Sequence, residues 1–134
     1  MRATEGRAVR AGFSGTRATG LNFAGTVLED AQFIGCRLDL TNFRMAKLSR
    51  VRFEDCRMDE ADFYQAELSS VMFDTCSLGR TSWSDATLER SEMRGCDLEG
   101  SSGLESIRGV RMPWSDVLKS ANEIARAAGI VVID

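Results

Sequence analysis

Residues 31–80 read AQFIGCRLDL TNFRMAKLSR VRFEDCRMDE ADFYQAELSS VMFDTCSLGR, and in this stretch an apolar side chain returns at every fifth position: Phe33, Leu38, Phe43, Leu48, Phe53, Met58, Phe63, Leu68, Phe73 and Leu78. The beat extends outward without a gap, back through Leu28, Phe23 and Ala18 to Phe13 and forward through Trp83, Leu88 and Met93 to Leu98. Two residues before each beat sits a second column of small or β-branched residues, among them Ala31, Cys36, Thr41, Ala46, Val51, Cys56, Ala61 and Ala66. A period of five matches neither the 3.6 of a helix nor the 2.0 of a strand, so no straight element buries both columns. The chain has to turn a corner in every repeat, and short fixed periods of this kind build solenoids whose units bury their apolar sides against their neighbours.

The cysteines set the number of repeats per turn. Cys36, Cys56, Cys76 and Cys96 are spaced by twenty, always in the small column. Four repeats per coil make a square cross-section, in which Phe33, Phe53 and Phe73 stack on one wall and Phe23, Phe43, Phe63 and Trp83 on the opposite one. Leu and Met fill the other two walls, so Phe faces Phe and Leu faces Leu across the lumen.

The units AQFIGCRLDL, VRFEDCRMDE, ADFYQAELSS and VMFDTCSLGR resemble those of pentapeptide-repeat proteins over about three quarters of the chain. The resemblance implies an all-β solenoid, a right-handed quadrilateral β-helix of pentapeptide repeats, with a C-terminal α-helical cap that in some members forms a dimer. It also implies a candidate partner, because well-understood members bind DNA gyrase as rod-shaped imitations of duplex DNA and protect it from quinolones. On this basis three segments are expected: a lead-in over 1–10, the β-helix over 11–112, and a helix with a short tail over 113–134, acting as cap and dimerisation element.

Composition fits one domain. The formal charge is −3 over 134 residues, with no basic tract, so nucleic acid is not an expected direct partner. No apolar run approaches the roughly 20 residues that span a bilayer, and MRATEGRAVR lacks the apolar core of a signal peptide, so a cytoplasmic location and no membrane partner are expected. The chain has no His, no Gly-rich phosphate loop and no nucleophile elbow. Acid pairs such as Glu54 with Asp55 and Asp59 with Glu60 fall on the outer wall, so no enzyme activity, catalytic residue or cofactor is expected.

The cysteines are expected to be packing residues. Stacked Cβ vectors point the same way, which holds a disulfide torsion far from its preferred value near 90°. Zinc sites favour close CxxC pairs with His nearby, which this chain lacks. A soft ion such as Cu(I) along the thiol column and a redox role are the remaining alternatives, and no metal site is assigned.

A partner therefore has to read the outer wall. At period twenty, Arg17, Arg37 and Arg57 form a basic stripe beside an acidic one of Asp39 and Asp59, and the two are expected to cancel in part. Arg44 precedes Tyr64 in another column, a cation–π neighbour, and Lys47 precedes Glu67. Leu40, Met45, Ile34 and Met72 are outward apolar exceptions, with Leu40 and Met45 expected to form one adhesive corner. The candidate protein-binding surface is Arg37, Asp39, Leu40, Arg44, Met45, Arg57, Asp59, Glu60 and Tyr64. Residues 11–100 carry a net −5, on a rod roughly 22 Å long at about 4.8 Å per coil. Duplex DNA of that length carries about 13 charges, so an unspecified protein-binding or scaffold role is favoured over gyrase mimicry.

The beat fails after Leu98. Gly103 stands at the next expected centre, and Ile107 and Met112 resume one residue out of register, predicting a slip and a partial coil. Pro113 marks a boundary before WSDVLKSANEIARAAG, which is expected to be helical with Val117, Leu118, Ala121, Ile124, Ala125 and Ala128 on the packing face and Asp116, Lys119, Glu123 and Arg126 on the solvent face. Ser115 is the expected N-cap and Gly129 the residue just past the end, while Ser120 with Glu123 fits a capping box that would divide the segment into two short helices. The helix is expected to lid the open end of the solenoid, and IVVID to add a strand or pack beneath it. Endings such as RGVRMPW leading to AAGIVV resemble those of relatives in which this region pairs two subunits. The candidate dimer or cap residues are Trp114, Val117, Leu118, Ala121, Ile124, Ala125, Ile130 and Val132.

Overall fold

The computed structural model describes residues 7–9, 12–15, 17 and 19–133. Ten three-residue strands run from β1 (Arg7–Val9) and β2 (Gly12–Ser14) through β3 (Val27–Glu29), β4 (Gln32–Ile34), β5 (Lys47–Ser49), β6 (Arg52–Glu54), β7 (Glu67–Ser69), β8 (Met72–Asp74) and β9 (Thr87–Glu89) to β10 (Glu92–Arg94). They form two five-stranded parallel sheets, β1-β3-β5-β7-β9 and β2-β4-β6-β8-β10, which are two walls of the square. The other two walls carry isolated bridges: Arg17–Arg37–Arg57–Ser77–Asp97 on the arginine wall and Asn22–Asn42–Asp62–Ser82–Ser102 on the asparagine wall. Every strand pairing joins residue n to n+20, as Phe33 to Phe53 and Leu48 to Leu68 do, so the twenty-residue coil read from the cysteines is the observed one. β1 pairs with β3, which puts Arg7–Val9 in the first coil although they fall inside the expected lead-in. The remainder of that lead-in lies outside the described residues.

The lumen is filled as the two columns require. Phe33, Phe53 and Phe73 stack at 4.9 and 5.0 Å between ring centroids, and Phe43, Phe63 and Trp83 at 4.9 and 4.3 Å. The two stacks meet edge to face across the lumen, Phe43 against Phe53 at 6.0 Å and 83°. Each aromatic pair adds about 0.5–1.5 kcal/mol to the burial of its area. The small column is buried because its residues turn inward at the corners, where a larger side chain would strike the stacked rings.

The corners run against local preference. Twelve non-glycine residues from Asp30 to Arg90 have positive φ, including Leu40 (61°), Met45 (60°) and even the β-branched Thr75 (55°). Such backbone costs on the order of 1 kcal/mol per residue. It is held because the corner N–H groups from Asp30 to Arg80 donate to carbonyls of the following coil, Leu40 to Asp59 (2.9 Å) and Met45 to Tyr64 (2.8 Å), so the stack over-determines the turn.

After Leu98 the predicted slip is present. Gly103 (φ 75°) begins a single 3₁₀ turn over Leu104–Ser106. A Cβ on Gly103 would stand 2.5 Å from the backbone nitrogen of Ser84, so a side chain has no room there. Arg111 bridges Glu92, nineteen residues away instead of twenty, and this is the partial coil. Two short helices follow, α1 (Trp114–Lys119) and α2 (Ala121–Ala127). Pro113, not Ser115, occupies the N-cap position of α1; its fixed φ near −61° prepares the helix start, and Ser115 lies inside the helix. Ser120 separates the helices but caps with no side-chain bond, so the expected capping box does not form. Gly129 (φ 78°) ends α2 as expected, with Ile130 N–H bonded to Ala125 and Gly129 N–H to Arg126. Residues 130–133 add no strand and do not pack beneath the lid: they are exposed, Val131 and Ile133 to 84% each. Among the described residues no helix is long and apolar enough to cross a membrane.

Candidate interaction surfaces

A solenoid leaves its last coil with a rim of N–H donors that the next coil would have satisfied. At one corner the sequence of bonds is Gly35 to Glu54 O, Asp55 to Asp74 O and Thr75 to Arg94 O. The final donor, Gly95 N–H, instead reaches the Asp116 carboxylate at 2.6 Å. At the next corner Glu60 and Arg80 donate to Gly79 O and Glu99 O, and Gly100 N–H then donates to Glu123 Oε2 at 3.2 Å. At a third, Asp85 N–H donates to the Ser106 hydroxyl at 3.0 Å. The lid therefore supplies side-chain oxygens where a further coil would have supplied carbonyls.

This corrects the expected orientation of the helices in part, while Lys119 and Arg126 are exposed as expected. Asp116 (7% exposed), Ser120 (3%) and Glu123 (9%) face the solenoid, whereas Leu118 (59%) and Trp114 (72%) face outward. Ala121 and Ala128 are exposed, Ile124 is exposed to 37%, and Val117 and Ala125 are half-buried. An inner face built only of apolar residues would have left the rim donors without acceptors. Spacing offered a signal: Asp116, Ser120 and Glu123 stand at i, i+4 and i+7, one stripe of a helix. With Ile130 (58%) and Val132 (61%) also outside, the candidate dimer residues divide, and Trp114, Leu118 and the 130–133 run form the exposed apolar set.

On the walls the acidic stripe serves the backbone. Asp39 Oδ1 accepts from Asp59 N–H at 3.0 Å, and Asp59 Oδ1 accepts from Gly79 N–H at 3.0 Å and from the Ser77 hydroxyl. These half-buried carboxylates bond to the backbone of the following coil, and among the described residues no ion pair joins the neighbouring Arg and Asp stripes. Glu60 lies 3.8 Å from Arg80 across the coils.

The expected cation–π contact is present, with the Arg44 guanidinium 4.7 Å from the Tyr64 ring centroid and 3.7 Å from Asp62. Leu40 (52% exposed) and Met45 (53%) do not make one corner; they stand at the two ends of the asparagine wall in the second coil, with Arg44 between them. Met72 is half-buried in β8, while Ile34 is exposed to 37%.

The four cysteines are buried free thiols. Cys56, Cys76 and Cys96 each donate to the carbonyl of the Phe twenty-three residues earlier, at 3.2–3.4 Å. Hydrogen bonding to Cys56, then to Cys96, together with burial, pushes the Cys76 thiol up. Among the described residues no three His, Cys, Asp or Glu side chains gather in a group that could hold a metal ion.

The profile of the pentapeptide repeat region matches residues 26–102. No curated protein sequence matches. Among solved structures, HetL, a pentapeptide repeat protein involved in heterocyst differentiation regulation in the cyanobacterium Nostoc, is 20% identical, with a TM-score of 0.71 over 78% of this chain and 50% of its own. A trypsin-treated variant of QnrB1, a plasmid-mediated fluoroquinolone resistance protein, is 14% identical, with a TM-score of 0.54 over 100% of this chain and 99% of that one. A protein of the Arabidopsis thaliana thylakoid lumen is 20% identical, with a TM-score of 0.53 over 88% and 76%.

Proposed function

The chain belongs to the pentapeptide-repeat family, and from that premise we propose that it acts without catalysis, as a protein-binding module of the cytoplasm whose partner lies against the arginine and asparagine walls. One observation carries this reading. The inward columns are all committed to packing, and on the outside Leu40 and Met45, each more than half exposed, bracket the Arg44–Tyr64 stack on an otherwise polar surface. Apolar anchors beside an Arg and a Tyr are the composition of a binding hot spot.

A Leu40→Ser, Met45→Ser double variant tests it. Both residues sit at solvent-facing corners, so the fold is expected to survive. Affinity capture from cytoplasm, followed by reconstitution with the purified partner, should lose that partner in the variant. Equal binding by both proteins, at equal melting temperature, would refute the choice of walls. Adding gyrase to a supercoiling assay asks whether the partner is the one the family suggests, a reading that the rod's low charge disfavours.

The lid supports a second surface. Trp114, Leu118 and Ile130 to Ile133 are apolar and exposed at one end of the rod, as an end-to-end dimer would require. Leu118→Glu should then convert a dimer to a folded monomer by light scattering. A wild type that is monomeric at tens of micromolar would leave the helices as a lid only.

A further inference from the structure

We propose that the arginine column is a docking strip for an acidic α-helix of the partner protein, an inference that rests on the wall-binding reading above and gives its partner a chemistry. Arg17, Arg37 and Arg57 are exposed and bridged in register, so three like charges stand about 4.8 Å apart along the rod. Like charges opposite one another on adjacent strands destabilise a sheet unless something compensates them.

The molecule contains its own comparison. Where an Arg and an acid stand two apart in the sheets they pair, Arg52 with Glu54 at 2.9 Å and Arg94 with Glu92 at 2.9 Å. Arg37 with Asp39 and Arg57 with Asp59 have the same spacing, but no such pair forms among the described residues. The aspartates are engaged by the amides of the following coil, Asp39 by Asp59 N–H and Asp59 by Gly79 N–H. The guanidinium groups are left to an outside partner.

Spacing selects the partner's form. Three rungs of the column span about 9.6 Å at 4.8 Å per coil. Acids one helical turn apart span about 10.8 Å over three rungs, whereas same-face acids of an extended strand span roughly 13.4 Å. The helix matches within about 1.2 Å, a difference that flexible Arg side chains absorb. Leu40, exposed at the edge of the same wall, offers an apolar contact beside the strip. A nucleic acid backbone fits less well, because residues 11–100 carry a net −5 and the column turns to Ser77 and Asp97 further along.

The test uses the whole protein and a fluorescein-labelled, alanine-rich peptide of about 15 residues with Glu at alternating i+4 and i+3 steps, which hold about one helical turn between neighbours on one face. The references are a peptide of identical composition with its Glu residues scattered around the helix, and an oligo-dT strand of similar length. In low salt the aligned peptide should bind best by fluorescence anisotropy. Arg37→Ser with Arg57→Ser should weaken it roughly tenfold without lowering the melting temperature, since the like-charge repulsion is relieved and Ser already occupies this column at Ser77. Equal binding of both peptides, unchanged binding by the double variant, or tighter binding of oligo-dT would overturn the proposal.

The two readings fail separately. A double Arg variant that retains the captured partner removes the strip and leaves the wall reading intact. Aligned-peptide binding that persists when Leu40→Ser, Met45→Ser also retains the partner removes the Leu40 and Met45 anchors from the wall reading and supports the strip.

Discussion

Asp116→Ala should open the lid end of the rod before the rest. The substitution removes the acceptor that holds Gly95 N–H at 2.6 Å from a carboxylate that is 7% exposed. A hydrogen bond to a charged group contributes about 1.5–3 kcal/mol. Gly95 is itself exposed, so water replaces part of that bond and a loss of about 1–2 kcal/mol is the working figure. In a solenoid the loss falls on the last coil and its lid, not evenly over the chain. Amide exchange at Gly95 should then accelerate roughly 5- to 30-fold. The same corner amide one coil from the other end, Gly35 bonded to Glu54 O at 2.8 Å, should not change and serves as the internal control. If the whole rod melted as one unit, the same loss would lower Tm by about 4–7 °C. Asp116→Asn keeps an oxygen acceptor without the charge and should lose about half as much. Gly95 exchange within about twofold of wild type in Asp116→Ala, with Gly35 also unchanged, would refute the idea that the lid acids replace a missing coil.

Three further perturbations test the core. Phe53→Asp should prevent folding by leaving an unpaired charge in the lumen, whereas Glu54→Lys, on the same strand but facing outward, should shift stability by no more than about 1 kcal/mol; comparable thermal melts would sink the register. Gly103→Ala should cost about 2–4 kcal/mol, read by denaturant titration, because a Cβ there meets backbone at φ 75°. Replacing all four cysteines by Ala should leave a folded protein that is less stable by about 1 kcal/mol per site, and stoichiometric metal copurifying with the wild type would refute a packing role. The neighbouring Cys76 thiol pulls Cys56 below the ordinary thiol range, but only 1% of Cys56 is exposed, so thiol reagents should label it only after denaturation.

The solenoid was legible because its signal is redundant: Phe33, Phe53 and Phe73 repeat one environment, and Cys36, Cys56, Cys76 and Cys96 mark the coil independently. The lid was legible as helical but not in orientation. Helical-face reasoning sends Asp116 and Glu123 to solvent because isolated acids prefer water; here they meet a rim of N–H donors, and that need belongs to the neighbouring coil, not to the helix. The corners were hidden for a related reason. Nothing in Leu40, Met45 or Thr75 favours positive φ, and only the stack above and below imposes it. The bonds from the Asp59 and Gly79 amides to the Asp39 and Asp59 carboxylates were not legible, because a one-dimensional reading does not show an amide twenty residues on.

The n to n+20 register has a consequence for how such a rod changes length. Each corner presents the same bonding address in every coil, so the chain behaves as a ruler with one mark per twenty residues. Excising 37–56 would join Cys36 to Arg57 with every later residue on the wall it already occupies, and would shorten the rod by about 4.8 Å. Removing any smaller number would rotate all that follows onto the wrong wall. The single-residue slip near Gly103 is accommodated because only a partial coil and the lid lie beyond it, so there is little left to misalign.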